Sequence, residues 1–255
     1  MVGPSRLALD ESHLPIFADR SLQHDAAPIL LEQLNRLGFV SLHVPGIWQL
    51  TKSSYDAVDS ALTQDTPTLR DFDFRLLPQT ETSNHGYHPP GTETPSTATA
   101  ADPKEMIHIS GAMMNDDPLG ARRLLGAFPE VGATSARLFD IGLDIASATL
   151  AALLDGRSGD ASSLVCRESS LIRQIRYLSQ PPRNVIAGSH TGIQLLGVQL
   201  PPTGPGLQYM TPDGAWVEPD CFRRDVVLCN IGRAATYLTQ GQLRPSPHRL
   251  SLIHI

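Results

Sequence analysis

Cysteine is scarce in this chain. Cys166, Cys221 and Cys229 are the only three among 255 residues. None stands in C-x-x-C spacing, so neither a disulfide framework nor a structural zinc site is suggested. They read as small buried hydrophobes in a reducing cytoplasm. Basic runs are also missing. With 20 Lys and Arg against 26 Asp and Glu, the formal net charge is -6, which offers no positive stripe to a nucleic acid polymer. No stretch approaches the roughly 18 apolar residues of a membrane span. Met1 to Asp10 lacks the apolar core of a secretory leader. The sequence therefore predicts a cytoplasmic chain without nucleic acid or membrane partners, its oligomeric state open. Aromatic residues make up 5%, and Trp48 and Trp216 read as packing residues. His24, Asp25 and His108 have no partner pattern and read as surface residues.

What is present suffices for one large domain, since 41% of the residues are hydrophobic and the length allows a sizeable core. Ile29, Leu30, Leu31, Leu34 and Leu37 recur at helical spacing between Pro28 and Gly38, which predicts an amphipathic helix. Phe39 to Val44 then alternates as a strand and ends at Pro45-Gly46. Thr63 to Pro103 is rich in Thr, Ser and Pro without sustained periodicity and reads as a long loop. Ser135 to Leu154 supplies apolar residues at the density of a largely buried helix. After it come short β-rich runs at 170–177, 194–200, 207–209, 215–217 and 225–230, separated by Pro/Gly turns, as in a sandwich or barrel. The pattern predicts a mixed α/β (α+β) chain with helices first and a small β-barrel second.

Within the β-rich part, His190 precedes an apolar strand and His248 follows a Pro/Ser turn. Two histidines alone are more often satisfied core or surface residues than ligands. Their context is more specific. His190 to Leu196, Gly206 to Tyr209, Thr211 to Val217, Val226 to Gly232 and Pro247 to Arg249 resemble, in order, the landmark segments of isopenicillin-N-synthase-like Fe(II)/2-oxoglutarate oxygenases. Arg173 to Tyr177, Asn84 to Gly91, Asp102 to Glu105 and Leu31 to Val44 resemble that family's earlier landmarks. The likeness covers nearly the whole chain.

The resemblance implies a double-stranded β-helix, a jelly roll or cupin-like barrel, with an N-terminal helical region. It divides the chain into an N-terminal region at 1–110, support helices at 111–160 and the barrel at 161–249. It implies an oxidoreductase acting on a small-molecule substrate with Fe(II), 2-oxoglutarate and O2, and with His190 and His248 as the two histidine metal ligands. The family's third ligand is a carboxylate two positions after the first histidine. Here that position is Gly192. The family's radical halogenases show the same departure, with chloride in the vacated position, so halogenation, as in natural-product tailoring, is the leading expectation. A hydroxylase with a two-histidine site, or a silent small-molecule-binding relative, are the alternatives. Asp213, Glu218 and Asp225 fall on turns in the family pattern and offer no replacement carboxylate.

Spacing and the resemblance point to further residues, each with a structural role as the alternative. Gln194 is read on the strand face of His190 and Gly192, as a donor to a halide or oxo group. Tyr177 matches a tyrosine that often bonds the cosubstrate. Asn84, His85, Tyr87 and His88 fall at the substrate mouth. Asn230 is read as capping a turn, and Arg233 stands where relatives carry Asp. The family's cosubstrate-clamping Arg has no counterpart before the chain ends, leaving Arg249 and Arg244 as conceivable clamps. Leu250 to Ile255 resembles the translated end of a sequencing adapter, which predicts a gene fragment with an unpaired barrel edge.

Overall fold

The computed structural model describes residues 5–7, 14–23, 26–64, 66–77, 79, 84–94, 101–115, 122–154, 161–178, 185–219 and 224–251. His24, Asp25, Cys221 and residues 252–255 lie outside them. In chain order the elements are β1 (Ser5–Leu7), β2 (Phe17–Ala18), β3 (Ser21–Leu22), α1 (Ala26–Leu37), β4 (Phe39–His43), α2 (Ile47–Gln64), α3 (Thr66–Arg70), β5 (Gly86–His88), β6 (Lys104–Ser110), α4 (Gly111–Asn115), α5 (Arg122–Ala127) and α6 (Pro129–Leu154). A 3-10 turn at Ala161–Leu164 leads to β7 (Leu171–Tyr177), β8 (Val185–His190), β9 (Leu196–Gln199), β10 (Leu207–Met210), β11 (Trp216–Pro219), β12 (Val226–Ile231), α7 (Arg233–Leu238) and β13 (His248–Ser251).

The α1 helix forms where the period predicts it, with Leu30, Leu34 and Leu37 buried on one face. Gly38 ends it at φ 74, its N–H donating to the Leu34 carbonyl at 3.0 Å. A Cβ there would lie 2.7 Å from the Arg244 carbonyl oxygen. Both the left-handed backbone and the close approach require glycine. The chain reverses into β4, which pairs antiparallel with β12, itself paired with β9. Residues two apart on a strand share a face. Val40, Leu42, Val227, Cys229, Ile231, Leu196 and Val198 accordingly pack with Leu30 and Leu34 of α1 and Leu138, Ile145 and Leu150 of α6. The opposite face carries Phe39 and Leu228, which pack on Tyr209 and Val217 of a second sheet, in the order β1-β11-β10-β13-β8. Helices, one sheet and a facing sheet make the layers of a jelly roll, with α6 as its outer spine.

A third sheet, β5-β6-β7, packs Tyr87, Ile107 and Ile109 on Val58, Leu62 and Leu69 of α2 and α3 and on Leu124 of α5. Here the sequence reading of a long loop needs correction. The stretch from Thr63 to Pro103 contains α3 and β5 and leads into β6, a strand buried along its whole length. Its charges obscure it: Lys104 and Glu105 are buried as partners of Asp102, Glu93 and Arg176 rather than solvated. The α2 and α7 helices also escaped the sequence reading. Leu250 and Ser251, at the start of the adapter-like hexapeptide, lie in β13, paired with Ala187 and Val185. Of the cysteines, Cys229 is buried and Cys166 is exposed, so the buried reading fails for Cys166. Among the described residues, no helix is long and apolar enough to cross a membrane.

Candidate metal centre

The last residue of β8, His190, stands directly opposite the first of β13, His248. Directly opposed residues of an antiparallel pair project to the same face, and the two imidazole centroids are 4.4 Å apart at 58°. The register shifts just beyond the pair, between His248 and Leu250, a bulge of the kind that re-aims side chains. Each ring is fixed in the same way. His190 Nδ1 lies 2.8 Å from the Gly188 carbonyl oxygen and His248 Nδ1 lies 3.2 Å from that of Ser246. With both Nδ1–H groups donating to backbone, each Nε2 is left with its lone pair, the arrangement in which backbone acceptors orient metal-binding histidines. Burial, and then the neighbouring His190, push His248 down to about 4. It is therefore neutral, as a ligand must be. His190 is exposed and gives the pair an open side.

Tyr209 continues the row. It pairs with His248 across β10 and β13, with ring centroids 5.1 Å apart, and packs on Phe39 at 4.4 Å. On the facing sheet, Gln199 Nε2 donates to the Tyr209 hydroxyl at 2.7 Å and lies 3.1 Å from Asn230 Oδ1. Asn230 is thus not a turn cap but an interior residue of β12. Its Nδ2 and the Oγ of Ser41 are buried without partners, an arrangement that costs about 1–3 kcal/mol for each unsatisfied group. These orphaned donors face the space between the sheets and fit a polar ligand. Among the described residues, no three of His, Cys, Asp and Glu gather as a metal-binding group. Among the described residues, the pair therefore stands as two imidazoles without a carboxylate to complete a three-residue ligand set.

Gln194 is not on the strand of His190, as the spacing suggests. β8 stops at His190, and Thr191 to Leu195 forms a turn held by Arg233 N–H on the Gly192 carbonyl at 2.9 Å and Gly232 N–H on the Leu195 carbonyl at 3.2 Å. A Cβ on Gly192 would lie 2.2 Å from Gln194 Oε1 and 2.4 Å from its Nε2. The Gln194 carboxamide thus fills the volume that a side chain at 192 would enter. A Cβ on Gly232 would meet the Gln194 backbone oxygen at 1.8 Å. Backbone cannot yield as a side-chain tip can, so Gly232→Ala is expected to displace this turn. It should cost about 1–3 kcal/mol, the range for overpacking, measured as a lower urea midpoint. An unchanged midpoint would show that the turn is not held there.

The remaining candidates scatter. Arg249 faces away from His248, its guanidinium 4.0 Å over the Trp216 ring and its Nε donating to Gln208 Oε1 at 2.8 Å. That places it off the histidine face, and Arg244 is exposed. Tyr87 points into the helix-side core and donates to Glu105 Oε2 at 2.8 Å, with burial raising its hydroxyl pKa above the usual range. Asn84 is exposed, and its carbonyl oxygen lies 2.9 Å from His108 Nδ1. His85 is buried. His88 lies on the other face of the β5-β6-β7 sheet, 1% exposed, between Phe74 at 4.2 Å and His108 at 3.9 Å. His108 is no surface residue; Arg173 Nε donates to its Nε2 at 3.0 Å. Tyr177 shares the face of Arg173, and burial raises its pKa. Glu218 lies on β11 rather than a turn. The sequence reading missed Arg173, Glu93 and His108, although the alternation of Arg173 and Tyr177 along one strand could have placed those two on one face.

No family model matches the chain, and no curated protein matches it. Solved structures do. A full-length Neurospora crassa protein solved in complex with alpha-KG is 18% identical, covers 97% of this chain and 82% of its own, and has a TM-score of 0.71. The dioxygenase for auxin oxidation of rice is 20% identical over 94% of this chain and 78% of its own, with a TM-score of 0.65. The dioxygenase for auxin oxidation 1 of Arabidopsis thaliana, solved with 2-oxoglutarate, is 15% identical over 93% and 86%, with a TM-score of 0.63. The chain thus shares a jelly-roll fold with these proteins. The double-stranded β-helix with N-terminal helices expected from the sequence is the fold observed.

Proposed function

We propose that this chain is a non-haem iron oxidoreductase that uses 2-oxoglutarate and O2 to oxidise a small molecule. We further propose that a halide, chloride in the first instance, serves the ligand position that Gly192 leaves without a donor. The observation that carries this reading is the opposed pair of His190 and His248, each tied through Nδ1 to a backbone carbonyl. The fold supports it, as do the small molecules bound by a structural neighbour: the Neurospora crassa protein has been solved with alpha-KG, thymine and 5-formyluracil. Iron bound with 2-oxoglutarate and O2 would supply the oxidising power to take a hydrogen from an unactivated carbon. His190 and His248 would hold it on the face open to the barrel interior. Tyr177 and the orphaned Nδ2 of Asn230 are the donors we assign to the cosubstrate carboxylates.

Hydroxylation is the second reading, favoured by one observation: the Gln194 carboxamide occupies the volume beside Gly192. The same experiment tests the third reading, a silent binding protein on the same fold, which would form no such band. Anaerobic Fe(II) and 2-oxoglutarate should give a visible charge-transfer band that develops fully only with chloride, and turnover should yield a chlorinated product. Gly192→Asp should keep the band and lose halogenation. Failure to form the band would overturn the oxidoreductase reading, and a band indifferent to chloride with a hydroxylated product would leave the second reading standing.

A further inference from the structure

Beyond His190, two glycines face the side chain of Gln194 and a third faces its backbone. The carboxamide of Gln194 lies over Gly192 and reaches Gly197, where a Cβ would sit 2.9 Å from its Nε2 and 2.5 Å from Asn230 Oδ1. Gly232 lets the Gln194 backbone approach within a distance no other residue permits. A Cβ on Gly192 would meet both the Oε1 and the Nε2 of this amide, at 2.2 and 2.4 Å, so the whole carboxamide covers that position. A side chain at 192 would project from the residue two beyond His190, whose ring is paired with His248. Gln194, from two residues further along, brings to that place a carboxamide that carries one acceptor oxygen.

We infer that Gln194 Oε1 is the resident third oxygen donor of the two-histidine centre, and that an added anion enters by displacing it. The inference rests on His190 and His248 binding iron. Amide carbonyls are competent ligands for hard divalent metals, and a neutral amide leaves the metal's charge less compensated than a carboxylate would. The centre thus keeps an attraction for an exogenous anion. Displacement needs only a rotation of a flexible side chain that is itself exposed. Gln194 would then set the concentration of halide at which the centre changes its ligand set.

The test uses Co(II) as a spectroscopic probe and bromide as the anion, in the full chain without turnover. Gln194→Ala should weaken Co(II) binding about tenfold in the absence of halide, no more than an outer partner's loss costs, because water can replace a neutral amide oxygen on the metal. By linkage it should tighten bromide binding to the Co(II) form by the same factor. Gln194→Glu should bind Co(II) about tenfold more tightly, and bromide should no longer change its visible spectrum. Because Gln194 is exposed, both variants should keep the parent's circular dichroism. His190→Ala is the control for the underlying site. If it leaves Co(II) affinity intact, the iron reading falls and this inference with it. If it abolishes binding while both Gln194 variants leave the Co(II) and bromide constants unchanged, the iron site stands and the role of Gln194 is overturned.

Discussion

Replacing either histidine of the opposed pair should remove iron binding, with different consequences for stability. His190 is exposed and its bond is to its own strand's Gly188 carbonyl. His190→Ala should therefore leave stability within about 0.5 kcal/mol of the parent, as surface substitutions usually do. His248 is 9% exposed, stacked near Tyr209 and bonded to Ser246. His248→Ala should both lose the metal and destabilise the fold by about 2–4 kcal/mol, as a truncation in a packed core does. Loss of either imidazole should exceed the roughly 10–100-fold that loss of an outer partner costs. Anaerobic Fe(II) titration paired with urea denaturation separates the two effects. Wild-type iron affinity in His190→Ala would show that the pair is structural.

The metal-free protein should also lose stability in mild acid. His88 and His108 are buried against each other, and burial lowers their pKa values to about 4 and about 3. The charge of Arg173 pushes His108 further down, while Glu93 and the Asn84 carbonyl oppose it weakly. In the unfolded chain both rings titrate near 6.5. Between that value and about 4 the unfolded state binds protons that the folded state does not, so stability falls as the pH is lowered through this window. Above it the neutral rings cost nothing further. Holding a ring neutral one pH unit below its ordinary pKa costs about 1.36 kcal/mol, so lowering the pH from 7 to 5 should remove about 2 kcal/mol for each ring. Urea denaturation at the two pH values checks this, with His88→Phe, which continues the stack on Phe74, showing a shallower decline. Equal midpoints at pH 7 and 5 would mean that these rings take up protons in the folded state.

Much of the barrel was legible because its chemistry is local. The strands β7, β9, β10, β11 and β12 stand where Pro/Gly turns and alternation put them, since a strand with one face on the core must repeat every two residues. The α1 helix follows from its leucine spacing and from Gly38. The loop reading of 63–103 missed α3 and β5, because β5 meets its hydrogen-bonding requirement with β6, a partner distant along the chain. β6 buries Lys104 and Glu105, and the approach of Glu93, Asp102 and Arg176 compensates that burial. Tyr87 and His88 illustrate the same limit. Both lie in one polar aromatic segment, yet the pleat sends one to the helix-side core and the other to the opposite face.

By itself the sequence determined that this is a mixed helical and β chain ending in a sandwich or barrel, and that position 192 supplies no side-chain ligand. Composition, periodicity and the absence of a side chain are properties that no neighbour can alter. Tertiary structure alone decided that His190 and His248 oppose each other across two strands, that Arg249 turns away from them onto Trp216, and that Gln194 fills the volume beside Gly192. Those outcomes depend on strand register, a bulge and the close approach of Gly232. Each of these is set by long-range backbone pairing, which spacing along the chain does not encode.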